Sequence, residues 1–78
     1  MTETFSFSTA LVNLKEGARV ARVGWNGVGM YLELQSPDET SKMKKPYIYI
    51  VPSEDGSFTI PWVASQTDLL SDDWFLVQ

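Results

Sequence analysis

The feature that most constrains this chain is that its 78 residues include neither cysteine nor histidine. Disulfides and thiolate metal sites are therefore excluded, and the commonest metal ligand and general base is missing. A chain of this length buries only about 60% of the surface that its unfolded form exposes, and small folds usually compensate with disulfides, metals or oligomerisation. We therefore expect one domain spanning 1–78 that oligomerises, with no metal and no cofactor.

The charge balance limits the class of partner. The net charge is −4, and an acidic chain is a poor ligand for duplex DNA, where phosphate neutralisation dominates binding. A small nucleotide stays open, because a few local donors hold one phosphate group. The first residues show no basic segment followed by an apolar run, and every apolar run is far shorter than a membrane span. We expect a cytoplasmic protein with no DNA and no membrane partner.

The hydrophobic pattern predicts an α+β fold. An apolar stripe at helical spacing predicts a leading helix over 8–16, with Gly17 at its end. Strands are predicted at 19–23, 30–35, 47–51, 57–60 and 74–77, with an Asp-Gly turn at 55–56. A capping box at Ser65 predicts a short C-terminal helix ending near Ser71. This order indicates a small, mostly antiparallel sheet, with Pro61 at a strand end or a sheet edge.

Three burial expectations follow from the same pattern. The strand at 47–51 is almost continuously apolar, so we expect both of its faces to be buried. Leu69 and Leu70 are expected in the core. Asp72 and Asp73 form the only carboxylate pair close in sequence near a candidate site, but neighbouring residues face different ways, so solvated surface charge is the favoured interpretation.

The stretch ARVGWNGVGMYLEL, at 21–34, has two interpretations. Asn26 and Gly27 can form an ordinary hairpin turn, with a bulge at Gly29 and Trp25 packed into the core. Alternatively, the glycines let backbone N–H groups approach a ligand, Trp25 stacks on a base, and Asn26 reads its polar edges. The spacing of the glycines does not fit a dinucleotide-binding loop.

The stretch PWVASQTDLLSDDW, at 61–74, also has two interpretations. Ser65 and Asp68 can cap the short helix, or the N–H groups and hydroxyls there can bind an anion or a ribose. Capping does not account for Gln66 and Thr67. Trp62 is more typical of a core residue, although its position beside Pro61 also suits a surface platform. Three lysines in the loop at 36–46 suit either a solvated loop or a phosphate contact.

Taken together, the two stretches resemble the second type of the Thoeris anti-defence family of phage proteins, over nearly the whole chain. The residues that carry the resemblance are Arg22, Gly24, Trp25, Asn26, Gly27, Gly29, Met30, Tyr31, Pro61, Trp62, Ser65, Gln66, Thr67, Asp68, Leu69, Leu70, Asp73 and Trp74. The resemblance implies a non-enzymatic sponge that sequesters a cyclic ADP-ribose-type immune signal in the host cytoplasm during infection. It also implies a homotetramer with pockets between subunits, and in some members separate sites for cyclic oligonucleotides.

The resemblance places one wall of the pocket at Trp25, Asn26, Gly27 and Met30. It places the other wall at Ser65, Gln66, Thr67 and Asp68. From side-chain chemistry, Asp68 would accept hydrogen bonds from ribose hydroxyls and Arg22 would face a pyrophosphate. Two other classes stay open: an interaction module that blocks a host protein through exposed tryptophans, and a small hydrolase or lyase that degrades the signal.

Overall fold

A computed structural model describes residues 3–25, 29–52 and 58–77. The elements in chain order are α1 (Phe7–Lys15), β1 (Arg19–Arg22), β2 (Tyr31–Gln35), β3 (Tyr47–Val51), β4 (Ile60–Pro61), α2 (Gln66–Leu70) and β5 (Trp74–Val77). The strands form a five-stranded sheet in the order β4-β3-β2-β1-β5, with every neighbouring pair antiparallel. The predicted α+β class is confirmed. Within the described ranges, no helix is both long and apolar enough to cross a membrane.

Helix α1 forms where the apolar stripe predicts it, one residue earlier at each end. Ser6 is its N-cap, and the Ser6 hydroxyl accepts a hydrogen bond from the backbone N–H of Thr9. Gly17 ends the segment with a φ of 93°, a left-handed conformation that glycine adopts without steric cost. Ala10 and Leu14 are fully buried, so the inner stripe of α1 supplies the helix side of the core.

The core lies on the sheet face that α1 covers, which we call the helix face. Val20, Leu32 and Trp74 are fully buried there and pack against Ala10 and Leu14. The register explains their alignment, since Val20 lies opposite Leu32 on β2 and Arg22 lies opposite Trp74 on β5. Side chains alternate between faces along a strand, so one register places all of these residues on the same side.

The opposite sheet face, which we call the outer face, carries a different set of side chains. Among the described residues, no helix packs on it. By strand alternation and register, its members are Arg19, Ala21, Tyr31, Glu33, Gln35, Tyr47, Tyr49, Val51, Pro61, Phe75 and Val77. Ala21 and Val51 are buried, while the aromatic residues are half-buried. The outer face is therefore an aromatic surface whose rings are only partly buried within one chain.

Two burial expectations are wrong. In β3 only Val51 is buried and the other four residues are half-buried, so neither face of this strand is completely covered. Leu69 and Leu70 are 42% and 79% exposed, so α2 has no buried residue and does not dock through its apolar side chains. Pro61 does lie in edge strand β4. The predicted turn at 55–56 lies outside the described residues.

Candidate functional site

An ion cluster formed by Arg22, Asp68 and Asp73 joins three parts of the chain at one end of the sheet. Arg22 Nη1 donates to Asp68 Oδ1 at 2.8 Å, and Arg22 Nε donates to Asp73 Oδ1 at 2.8 Å. The Arg22 side chain is 14% exposed, as is that of Asp68, so water screens this pair less than a surface ion pair. The cluster ties the end of β1 to α2 and to the start of β5.

The pKa values of the three charged groups shift in the directions expected if each group stabilises the charged form of the others. Hydrogen bonds that Arg22 donates to Asp73 and Asp68 raise the pKa of its guanidinium. The hydrogen bond from Arg22 holds the pKa of Asp73 below its usual range. Burial of the Asp68 carboxyl acts to raise its pKa, but hydrogen bonds from Arg22, Trp25 and Ser65 outweigh it and the pKa is lowered. At neutral pH the cluster therefore holds two carboxylates and one guanidinium, a local charge of −1.

Gly24 lies against this cluster because its backbone N–H donates to Asp73 Oδ2 at 2.9 Å. A Cβ at this position would lie 3.1 Å from Asp73 Oδ2 and 3.1 Å from Arg22 Nη2. Such contacts are tighter than ordinary packing, so a side chain here would push against both charged groups. The sequence expectation of a solvated Asp73 is wrong, because the residue is bound to β1 through Arg22 and Gly24.

Asp68 also caps α2, as the sequence predicts. The Ser65 hydroxyl accepts from the backbone N–H of Asp68 at 3.0 Å, and Asp68 Oδ2 accepts from the backbone N–H of Ser65 at 3.4 Å. These two bonds complete the capping box. The polar groups at the start of α2 thus bond chiefly to one another and to β1. Gln66 and Thr67 follow in the first turn and are exposed.

Trp25 connects the ion cluster with the aromatic core. Its indole Nε1 donates to Asp68 Oδ1 at 3.2 Å. Its ring meets Trp74 edge to face, with centroids 5.3 Å apart and planes at 78°. Trp74 in turn packs against Phe7 and Trp62, at 5.2 Å and 6.0 Å. Trp62 is therefore part of the packed aromatic group, as its core interpretation predicts.

A cavity of about 380 Å³ opens beside Trp25. Its described lining residues are Ala21, Arg22, Val23, Trp25, Gly29, Met30, Phe75 and Val77. Ala21, Phe75 and Val77 belong to the outer face, so the cavity lies where β1 and β5 meet the segment that connects β1 with β2. Gly29 has a φ of 76°, which explains why a glycine stands there. Most of the lining is apolar, and the volume is typical of a small-molecule site.

The structure brings some of the predicted site residues together. Trp25 and Met30 line the cavity with Arg22, whereas Ser65, Gln66, Thr67 and Asp68 are not among its described lining residues. Among the described members of the two predicted walls, the hydrogen bond from Trp25 to Asp68 is the link. Asn26 and Gly27 lie outside the described residues. The ligand-contact roles of all nine residues stay predictions.

Sequence reasoning missed the floor of the cavity. Phe75 and Val77 come from β5, more than fifty positions away along the chain, and only the β1–β5 pairing brings them next to Ala21. Strand alternation in WFLV was the available signal, since it puts Phe75 on the face opposite Trp74. A second cavity, of about 240 Å³, is lined by Gln35, Ser41, Lys42, Met43 and Tyr47. Among the described residues, no acidic cluster suits a metal ion.

Comparison with known proteins gives a consistent result. Residues 5–77 match the family described as the Thoeris anti-defense 2-like domain. A curated protein of Bacillus phage SP01, Thoeris anti-defense 2, is 36% identical to the chain over 89 aligned positions. The alignment covers 99% of this chain and 99% of the phage protein. The similarity therefore spans the sheet, both helices and the cavity together.

Proposed function

The chain belongs to the Thoeris anti-defense 2-like family, and from that premise we propose that it is a phage anti-defence sponge. In this proposal it binds a cyclic ADP-ribose-type immune signal, such as glycocyclic ADP-ribose, and holds it without degrading it. The site of action is the host cytoplasm during infection. The observation that carries the proposal is the position of Trp25, between an apolar cavity and an ion cluster that fixes its ring.

The cavity suits a nucleotide base. An indole ring and a methionine side chain give apolar contact area, and stacking of a base on an aromatic side chain stabilises a complex by about 1–3 kcal/mol. Trp25 and Met30 are the described lining residues that supply these surfaces. In the proposal the base lies against Trp25 and the sugars extend towards the outer face.

The phosphates of such a ligand need a positively charged side chain. On the outer face, Arg19 supplies one close to the cavity lining. It lies opposite Val77, a lining residue of the cavity, and its side chain is 46% exposed. The guanidinium lies over the Tyr31 ring, 4.7 Å from the centroid, and its Nε donates to Glu33 at 3.3 Å. We assign the pyrophosphate contact to Arg19 in addition to Arg22, since Arg22 already serves two carboxylates.

The lowered pKa values of the nearby carboxylates support binding of the ligand without its cleavage. The carboxylates closest to Trp25 are Asp68 and Asp73, and the pKa of each is held below its usual range. A general acid or base works best with a pKa near the operating pH. Carboxylates that stay ionised and bound to Arg22 are poorly suited to either role.

Assembly as a homotetramer is part of the proposal. In one chain the fully buried apolar core consists of seven described residues, and the outer face keeps its aromatic side chains half-exposed. Val63, between β4 and α2, and Leu70, in α2, are 88% and 79% exposed. Contact between subunits would bury such surface and close a cavity that one chain leaves open, which raises affinity for a small ligand.

The proposal extends to cyclic oligonucleotides at the second cavity. Lys42 and Tyr47 give that cavity a cation and an aromatic ring, the two groups that a nucleotide phosphate and base require. The second cavity is about 240 Å³ in one chain, smaller than the first, so a cyclic dinucleotide would fill it only with a partner subunit or a neighbouring loop.

Calorimetry with glycocyclic ADP-ribose tests the proposal, followed by heat denaturation of the complex and chromatography of the released ligand. We expect a dissociation constant in the nanomolar range, about −12 kcal/mol, and recovery of intact ligand. Recovery of a cleaved product would instead favour a hydrolase or lyase. Absence of binding, with specific capture of one host protein, would favour an interaction module.

The Trp25→Ala variant locates the site. It removes the aromatic surface beside the cavity, so we expect loss of measurable ligand binding with an unchanged oligomer by light scattering. Val12→Ala is the control, because Val12 is 55% exposed and is not among the described lining residues. Unchanged affinity in Trp25→Ala would remove this residue from the ligand site.

A further inference from the structure

Asp68 contacts both Trp25 and Trp74 through hydrogen bonds. Its Oδ1 accepts from Trp25 Nε1 at 3.2 Å and from Arg22 Nη1 at 2.8 Å. Its backbone carbonyl accepts from Trp74 Nε1 at 3.0 Å. One residue of a five-residue helix thus fixes the indole that lines the cavity and the indole at the centre of the core.

We propose that Asp68 is a positioning residue, which acts on ligand affinity by holding the Trp25 ring in the orientation that lines the cavity. The inference rests on the proposed function for its effect on affinity, but the orientation of Trp25 is measurable without any ligand. This role differs from direct contact between Asp68 and a ribose, which the sequence predicts.

The geometry favours an indirect role for two reasons. Asp68 Oδ1 already accepts two hydrogen bonds and Oδ2 accepts one from the Ser65 backbone, so three lone-pair positions of the carboxylate are occupied. Asp68 is also not among the described residues that line the cavity, whereas Trp25 is. An effect of Asp68 on a ligand in this cavity would therefore pass through the lining residues that it holds, Trp25 and Arg22. We assign it to Trp25, because the Trp25 indole has Asp68 as its side-chain partner, whereas Asp73 also holds Arg22.

The carboxylate is itself held in place, which a positioning residue requires. Arg22 approaches it from β1, and Asp73 holds Arg22 from the other side at 2.8 Å. The capping box fixes the start of α2, so the Asp68 side chain has little freedom to follow the indole. A half-buried indole N–H needs a partner, and a fixed acceptor selects one rotation of the ring.

The indole N–H resonances of the ¹⁵N-labelled full chain test the positioning directly. The chain has three tryptophans, and the Trp25→Phe variant assigns the Trp25 signal by its loss. In Asp68→Ala we expect the Trp25 resonance to move upfield and its hydrogen exchange to accelerate about tenfold or more. Asp68→Asn keeps one acceptor oxygen for the indole N–H, so we expect it to restore much of the protection.

Asp73→Asn is the matched control for this measurement. It removes the other carboxylate of Arg22 and weakens the same cluster, but Asp73 makes no hydrogen bond to Trp25 in the described structure. We expect its Trp25 resonance and exchange rate to change much less than those of Asp68→Ala. Equal changes in the Asp68 and Asp73 variants would show general loosening of the cluster and would overturn the assignment.

A double-mutant cycle with glycocyclic ADP-ribose tests the effect on affinity. Trp25→Phe keeps a stacking ring but removes the indole N–H, so it removes the group that Asp68 holds. We expect Asp68→Ala to weaken binding about tenfold in the parent and by less than about twofold in the Trp25→Phe background. An equal loss in both backgrounds would show that Asp68 acts by direct contact or through Arg22, and would overturn the positioning of Trp25.

The two readouts separate this inference from the proposed function. If the parent protein binds no glycocyclic ADP-ribose, the proposed ligand is wrong, and the indole resonances still decide whether Asp68 positions Trp25. If the parent binds and the Trp25 resonance is unchanged in both Asp68 variants, the sponge proposal stands and the positioning role is wrong.

Discussion

The two faces of the sheet differ in how completely their side chains are buried. On the helix face, fully buried side chains such as Val20, Leu32 and Trp74 pack beneath α1. On the outer face, half-buried aromatic rings share the surface with Arg19 and Glu33. Burial of apolar area stabilises the first face in one chain, whereas the second keeps surface available for a ligand or another subunit. Substitutions on the helix face should therefore affect mainly folding stability, and substitutions on the outer face should affect mainly binding.

Trp74→Ala should have the largest effect on stability. The ring is fully buried and contacts Phe7, Trp25 and Trp62, so its loss leaves a large cavity at the centre of the core. We expect the free energy of unfolding to fall by about 4 kcal/mol, measured by urea denaturation.

Phe75→Ala is the matched variant on the opposite face, one residue further along β5. It should cost about 1 kcal/mol in dilute protein because the ring is only half-buried. If subunits cover the outer face, this cost should rise with protein concentration, since association then contributes to apparent stability. Similar costs for Trp74→Ala and Phe75→Ala in dilute protein would contradict the division between faces.

Arg22→Ala should have the next largest effect. It leaves two low-pKa carboxylates without their guanidinium, so we expect a loss of about 2 kcal/mol in urea denaturation. Arg19→Ala, on the same strand and the opposite face, removes an ion pair whose arginine is 46% exposed. Its cost should be below about 0.5 kcal/mol. Equal losses in the two variants would mean that burial does not distinguish the two ion pairs.

Acidification should weaken the ion cluster selectively. The folded-state pKa values of Asp68 and Asp73 lie below their usual range, so their stabilisation is complete above about pH 4 and is lost as pH falls further. Thermal unfolding followed between neutral pH and pH 3 should show this loss. In Arg22→Ala the acid-dependent part should be smaller. An unchanged acid profile in that variant would assign the effect to other carboxylates.

Tyr49, on the outer face, should contribute a small effect that depends on alkaline pH. Burial, with a hydrogen bond to Glu33, raises its pKa to about 12. Because the unfolded phenol ionises near pH 10, the contribution of Tyr49 to stability is lost as pH rises from about 10 to about 12. Tyr49→Phe should remove this alkaline dependence and cost less than about 1 kcal/mol at neutral pH. Ultraviolet difference absorbance of tyrosinate measures the titration directly.

Local patterns predicted the elements well. The helical stripe from Phe7 to Leu14 and the alternation in β2 each gave the right element and the right faces, because periodicity records which side is buried. The capping box at Ser65 was also predicted, since both partners lie within four residues. The family assignment from the two quoted stretches is confirmed by the comparisons.

Local sequence patterns did not predict the contacts between residues that lie far apart in the chain. Asp73 was expected in solvent because its partner Arg22 lies 51 positions earlier in the chain. Leu70 was expected in the core because it is apolar, but α2 is held by the polar contacts of Asp68 and leaves Leu70 exposed. The cavity depends on the β1–β5 pairing, which no window of the sequence contains.

The strand order has a consequence for how the molecule folds. Neighbours β2, β3 and β4 follow one another along the chain, so they can pair through short loop closures. Strand β5 instead pairs with β1, joining Arg19 to Val77 and Arg22 to Trp74 across most of the sequence. Such distant pairings form slowly. The cavity and the ion cluster should therefore be among the last parts to assemble, and a nascent chain would acquire them only after β5 is synthesised.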